Sequence, residues 1–351
     1  MIWVFACPIR GVVPTAYAAD MDATVTAAAI GVGGSVIVAL AGFWANVRNT
    51  NKASELTLRA LELTAQGQVT DRYTKAIEQL DSQKGLDVRI GGIYALERMA
   101  RESPSYHPTV IEVLAAIVRE HSRERWPEAE PGGEPPERRT RPDVQAAVTV
   151  IGRRNREYDD RRTINLAGAT LPRADLIDAN LSGAALYGTD LSGAELIRAD
   201  LSGANLRGAI LSSTILNNAS LRQADLRGAK FDDALLGRAN LRGALLRSLD
   251  FHRAYLSHAD LADANLIHAT FPGSKLHGAI LTGADLTGAV LGQADFTEAD
   301  FTGAKLTGAD FTGAELTSAR YPEGCPVPEG WVRDADSGRL SRAKGASGAG
   351  N

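Results

Sequence analysis

Residues 295–316 read DFTEADFTGAKLTGADFTGAEL. Phe296, Phe301, Leu306, Phe311 and Leu316 fall at every fifth position, with an alanine two places before each. An α-helix brings apolar residues to one face about every 3.6 positions, and a strand about every 2.0. Neither element holds a period of five, so this chain must turn a corner every five residues.

The register runs unbroken from Leu166 to Leu316: 31 consecutive fifth positions, 25 Leu and 6 Phe. The residue two places earlier is alanine in 26 of the 31, the exceptions being Ile164, Thr189, Thr214, Leu249 and Ser274. The size of one full coil can be read from the large side chains. Phe231, Phe251, Phe271 and Phe311 are separated by 20, 20 and 40 residues, with Leu291 filling the gap. A coil of four pentads puts all of them on one face, where aromatic rings in adjacent coils can stack; a coil of three or five pentads would scatter them.

The run A-(D/N)-L-x-G is undiluted at Ala199-Asp200-Leu201-Ser202-Gly203 and Ala204-Asn205-Leu206-Arg207-Gly208. It resembles the pentapeptide-repeat family over about 155 residues. The resemblance implies an all-β repeat domain, a right-handed quadrilateral β-helix of about eight coils. One pentapeptide forms each side, Leu/Phe and Ala point inward, and the other three residues point outward. At the ~4.8 Å spacing of paired strands, the repeats at 163–320 make a rod roughly 35–40 Å long. Such a core is one-dimensional and needs covered ends. A capping helix at 142–156, with Val144, Ala147, Val148 and Ile151 on one side, is expected over the first coil. The segment 321–351 reads as a C-terminal cap, YPEGCPVPEGW, followed by a disordered tail.

Upstream, positions 23–47 contain no charged residue. That length suffices for a transmembrane helix, since about 20 apolar residues span a bilayer core. Asp20 and Asp22 precede it while Arg48 and Lys52 follow it, which puts the repeats on the cytoplasmic side of a single-pass protein of the cell membrane. Gly31, Ser35 and Ala39 form a small-residue line along which two copies could pack as a homodimer. Residues 1–20 form an N-terminal extension ending in Ala16-Tyr17-Ala18. It lacks a basic start and is interrupted by Arg10, so Met21 reads as the better start than Met1. A helical domain is expected at 52–126, a small bundle that includes DVRIGGIYALERMARES opened by Asp87 as N-cap, and HPTVIEVLAAIVREH at 107–121. His107 and His121 read as surface or capping residues. The Pro-, Gly- and charge-rich stretch 127–141 reads as a flexible linker. This layout also looks like a group of bacterial membrane-anchored pentapeptide-repeat proteins whose helical block carries a segment similar to DVRIGGIYALER.

Net charge is −4 and pI about 5.9, so the whole molecule is not a nucleic-acid binder on charge alone. Two cysteines, Cys7 and Cys325, near opposite ends exclude a disulfide framework or a zinc ribbon. No nucleophile elbow, P-loop, HExxH or dinucleotide fingerprint occurs, so the chain reads as non-enzymatic and without a cofactor. Of His252, His258, His268 and His277, only His258 and His277 share a face on adjacent coils. Two imidazoles without a third ligand make a poor metal site. The outward Asp residues keep the repeat's usual Asp/Asn place and read as structural. Charge is nonetheless uneven along the rod. Arg207, Arg227 and Arg247 are spaced by 20, a ladder on one face, and Arg222 and Arg242 form a second on its neighbour. Residues 254–319 instead carry eight carboxylates against Lys275 and Lys305. Two readings of the ladders stay open: solvated arginines beside Asp225 and polar neighbours, or a docking surface for an acidic protein or anionic lipid headgroups. The function expected is a membrane-anchored interaction scaffold. Its rival is a DNA-mimicking inhibitor of DNA gyrase, of the kind some pentapeptide-repeat proteins are thought to be.

Overall fold

Asn165 bridges Ala185 in parallel, Thr170 bridges Asp190, Asp175 bridges Glu195 and Asn180 bridges Asp200; the same twenty-residue step then recurs up to Asp300 and Arg320. A step of twenty residues is four pentads, so the coil has four sides. The computed structural model describes residues 67–81, 84–124, 137–160 and 162–343. From Arg72 onward the chain forms one unit.

Each pentad has the same anatomy. The Leu or Phe and the Ala two places before it point inward: from coil to coil these positions are 0–6 % exposed, up to the last coil. Where alanine is replaced by a hydroxyl residue, the hydroxyl finds a carbonyl inside the core. Thr189 Oγ1 donates to the Leu166 carbonyl (3.1 Å), Thr214 Oγ1 to that of Leu191 (3.0 Å) and Ser274 Oγ to that of Phe271 (2.7 Å). The residue between the inward pair lies mid-side and makes the bridge. When it is Asp or Asn, its Oδ1 accepts the amide two residues on and closes the corner, as Asp200 does from Ser202 (3.0 Å) and Asn240 from Arg242 (3.1 Å); Asp250 is the exception and accepts the Thr270 hydroxyl (2.9 Å). The second corner residue adopts a left-handed φ in every pentad from Gly168 to Ser318. This is why the repeat favours glycine at its last position.

The series of bridges has one gap before the last coil. Among the described residues, the amides of Phe231 and Asp250 have no backbone acceptor, and the Lys230–Asp250 bridge is missing from the series. Leu249 is the cause. It takes an alanine place with its side chain buried (2 % exposed), and its extra bulk holds its coil off the one before. Beside it the Phe231–Phe251 rings lie at 5.3 Å and 25°, against 4.8 Å and 6° for Phe251–Phe271.

Among the described residues, four α-helices precede the rod: α1 (residues 67–79), α2 (Leu86–Glu102), α3 (His107–His121) and α4 (Pro142–Gly152). α2 starts one residue before Asp87. Gly85 is the N-cap and no side chain caps it, so Asp87 serves only as an acidic first-turn residue. Ile93, Leu96, Val110, Leu114, Val144, Val148 and Ile151 are fully buried where α2, α3 and α4 meet. Gly92 is required by close packing, because a Cβ there would lie 2.9 Å from the Ala76 carbonyl and from Gln79 Cβ.

These helices close the first coil, whose edge would otherwise expose unpaired backbone groups. Ser122 Oγ accepts the Thr170 amide (3.0 Å), Gln145 Oε1 that of Asp175 (3.0 Å) and the Gly152 carbonyl that of Asn180 (2.8 Å). Gln145 Nε2 donates to the Asp175 carbonyl (2.7 Å), Arg119 to that of Asn165 and Arg154 to that of Asn180. Residues 137–141, within the stretch read as a linker, run along the same coil: the Thr140 amide donates to the Pro172 carbonyl (2.9 Å) and Glu137 pairs with Arg173.

His107 and His121 are not surface residues. Both are buried, at 4 % and 9 % exposure. His107 lies 3.3 Å from Asp159, which Arg154 clasps, and His121 lies 3.6 Å from the fully buried Asp143, which pairs with Arg89 and Arg141. Arg153 holds the buried Glu97 through two bonds of 2.7 and 2.6 Å. Arg89 and Glu97 both belong to the DVRIGGIYALER segment, whose polar residues thus fasten α2 to the chain just before the rod.

At the far end, two short strands, β1 (Trp331–Arg333) and β2 (Leu340–Arg342), pair antiparallel, and the Leu340 amide donates to the Ala319 carbonyl (2.8 Å). Tyr321 packs against Phe301 and Phe311. Among the described residues no helix is long and apolar enough to cross a membrane. The expected span 23–47, the extension 1–20 and the residues after 343 lie outside them.

Candidate docking surface

The corners of the coil fall at the last two residues of each pentad, so Arg207, Arg227 and Arg247 stand at one corner, and Arg222 and Arg242 at the preceding one. The side between those two corners carries Asn205, Asp225 and Leu245 at mid-side. Both arginine ladders therefore border the same side of the rod, one along each edge. All five side chains are exposed. They spring from corners fixed by their neighbours: Asn205, Asp225 and Asn240 each accept the amide of the arginine two residues on.

Two of the five are engaged. Arg227 makes a two-pronged contact with Asp225 (2.8 and 2.6 Å), and this bond holds the Asp225 carboxyl below its ordinary range and raises the guanidinium. Arg242 reaches Asp263 at 2.8 Å. Among the described residues, Arg207, Arg222 and Arg247 have no ion-pair partner. The arrangement can bind anions by charge and by forked hydrogen bonds.

Many of the rod's other polar groups are committed to structure. In the distal third, Asp260, Asp285, Asp295, Asp300 and Asp310 close corners through Oδ1, at 2.9–3.1 Å from the amide accepted. His258 and His277 meet edge to face at 5.3 Å, and the His258 ring covers Gly278 of the next coil. Among the described residues no three His, Cys, Asp or Glu side chains are placed to hold a metal ion.

Sequence reasoning did not find the cavity of about 1000 Å³ at the distal end, between residues 304–314 and 324–331. Leu306, Ala309 and Phe311 are only half-buried there, and the Leu306 and Phe311 amides have no backbone acceptor among the described residues. Tyr321 lies on its wall with its hydroxyl donating to the Pro326 carbonyl (3.0 Å), and burial pushes its pKa up to about 12. No periodic signal marks this cavity, because its second wall comes from the segment where the period stops.

The pentapeptide-repeat family model matches in eight copies between residues 164 and 317, over the coils just described. A solved relative, HetL from the cyanobacterium Nostoc, is described as a pentapeptide repeat protein involved in heterocyst differentiation regulation. It is 35% identical over 46% of this chain and 86% of its own, with a TM-score of 0.25. The chain belongs to the pentapeptide-repeat family. Other similar solved structures include full-length QnrB1, described as a plasmid-mediated fluoroquinolone resistance protein (23% identity, 47% of this chain and 87% of that one, TM-score 0.21). Another is a pentapeptide repeat protein from the Arabidopsis thaliana thylakoid lumen (27% identity, 35% of this chain and 71% of that one, TM-score 0.18). No curated protein sequence matches the chain.

Proposed function

We propose that this pentapeptide-repeat protein is a non-enzymatic interaction scaffold, anchored in the cell membrane by residues 23–47 and presenting its rod to the cytoplasm. The observation that carries the reading is the arginine-edged side. Five guanidinium groups face solvent from two fixed corners against one mid-side carboxylate, Asp225. Like charges stacked ~5 Å apart repel, so the array has a standing cost that an anionic partner removes. The rod loses little conformational freedom on docking, because its coils are bonded one to the next. The uncharged run 23–47, followed by Arg48 and Lys52, supports the anchored orientation.

Proximity labelling in the native cell tests the scaffold reading. The wild-type chain should mark a defined set of proteins, and changing all five arginines to Gln should empty that set while the chain stays folded. An unchanged set would contradict the reading. Carbonate extraction tests the anchor: the chain should stay with the membrane pellet, and release would remove that part of the proposal.

A second reading, a DNA-mimicking topoisomerase inhibitor, rests on the eight carboxylates of residues 254–319. Inhibition of gyrase supercoiling by the purified chain, lost when those carboxylates are neutralised, would favour it over the scaffold.

A further inference from the structure

We infer that the arginine-edged side is shaped for an acidic α-helix lying along the rod axis. The inference rests on the reading of that side as a docking surface and adds the form of what docks. Three residues separate one corner pair from the next, which at ~3.3 Å per residue makes the side about 10 Å wide. An α-helix with its side chains is about 10–12 Å across. A helix laid on this side therefore has one arginine ladder along each flank.

The axial spacing agrees too. Arg207, Arg227 and Arg247 sit one coil apart, ~4.8 Å per step. The turns of a helix rise ~5.4 Å, so over two steps the two repeats part by only about 1 Å, within the reach of a guanidinium. Acidic residues three and four apart on each flank then meet successive arginines. An extended strand fits less well. Its side chains on one face recur every ~6.7 Å, and a single strand cannot serve both corners at once.

The middle of the side suits the underside of such a helix. Asp225 is turned aside and neutralised by Arg227, Asn205 is engaged with the Arg207 amide, and Leu245 is 36% exposed, offering an apolar contact. Arg207, Arg222 and Arg247, free of ion pairs among the described residues, occupy both flanks and are the contacts expected to matter most.

The test uses the full-length chain and a helical peptide of about 20 residues, built from Glu, Ala and Leu with glutamates along both flanks and a central Leu stripe. A second peptide of the same composition carries prolines that break the helix. Vesicles containing phosphatidylserine and a short DNA duplex serve as other polyanions. The helical peptide should bind at low salt, the broken one at least tenfold more weakly. The variant Arg207→Gln/Arg222→Gln/Arg247→Gln should lose the helical peptide with an unchanged thermal melt. Equal binding of the two peptides would overturn the helical inference and leave a generic anionic surface. Arginine-dependent binding of vesicles or duplex alone would do the same. If no polyanion binds in an arginine-dependent way, the inference and the docking reading beneath it both fall.

Discussion

The Phe271 ring lies 4.8 Å from that of Phe251 and within 6° of parallel, one coil further along the rod. Twenty residues of chain thus return a side chain to the same place, and the stacked pair is buried at 0% exposure. Replacing Phe251 with Ala should lower stability by about 3–5 kcal/mol, because the square interior cannot collapse around the void. Arg227→Ala, outward at a corner, should change stability by only about 0.5 kcal/mol. Denaturant melts of the two variants check this, and equal losses would contradict the inward register.

The break beside Leu249 gives a kinetic signature. Amide hydrogens of Phe231 and Asp250 should exchange faster than those of Phe251 and Thr270, which donate to the Thr270 and Leu249 carbonyls at 2.9 and 2.8 Å. Hydrogen exchange read by NMR decides it; equal protection at all four would mean that the ladder is continuous there.

Two glycines should respond with opposite sign. Gly208 has φ +64 and open space where a Cβ would stand, so Gly208→Ala should cost about 1 kcal/mol from backbone strain alone. Gly91 lies in α2 with open space and no left-handed φ, so Gly91→Ala should raise stability by up to about 1 kcal/mol. Thermal melts of the pair separate backbone conformation from packing.

Acid should weaken the rod. The Asp178 and Asp225 carboxyls are held below their ordinary range by hydrogen bonds from Arg198 and Arg227, and those of Asp285 and Asp310 by the Thr287 and Thr312 hydroxyls. A carboxyl lowered in the folded state adds stability above its unfolded pKa of about 4 and loses it as pH falls through the folded value. Denaturant midpoints should therefore be level above about pH 5 and fall below about pH 4. Asp225→Asn, which keeps the corner acceptor but not the ion pair, should make that fall shallower. A midpoint that rises on acidification would contradict the assignment.

The rod was legible in the sequence because its core is strictly periodic: one Leu or Phe and one small residue per side leave no freedom of register. The position of each arginine followed from the same count. That both ladders edge one side required knowing where the corners fall, which the left-handed φ at positions such as Gly208 and Gln223 supplies. The helical cap was legible only as helices. His107–Asp159 and Glu97–Arg153 join residues 52 and 56 positions apart, and no periodicity announces such partners. Leu249 was visible as an exception, but its consequence depends on the coil it presses against.

The most direct test of the docking side uses two leucines that occupy the same mid-side place on opposite sides of the rod, Leu245 between the arginine ladders and Leu235 ten residues earlier. A photo-crosslinking residue is placed at one or the other in the full-length chain, in its native cell. The account predicts a discrete adduct from position 245 that vanishes when the five arginines become Gln, and none from position 235. Equal adducts from both positions, or an adduct at 245 that survives the arginine changes, would contradict it.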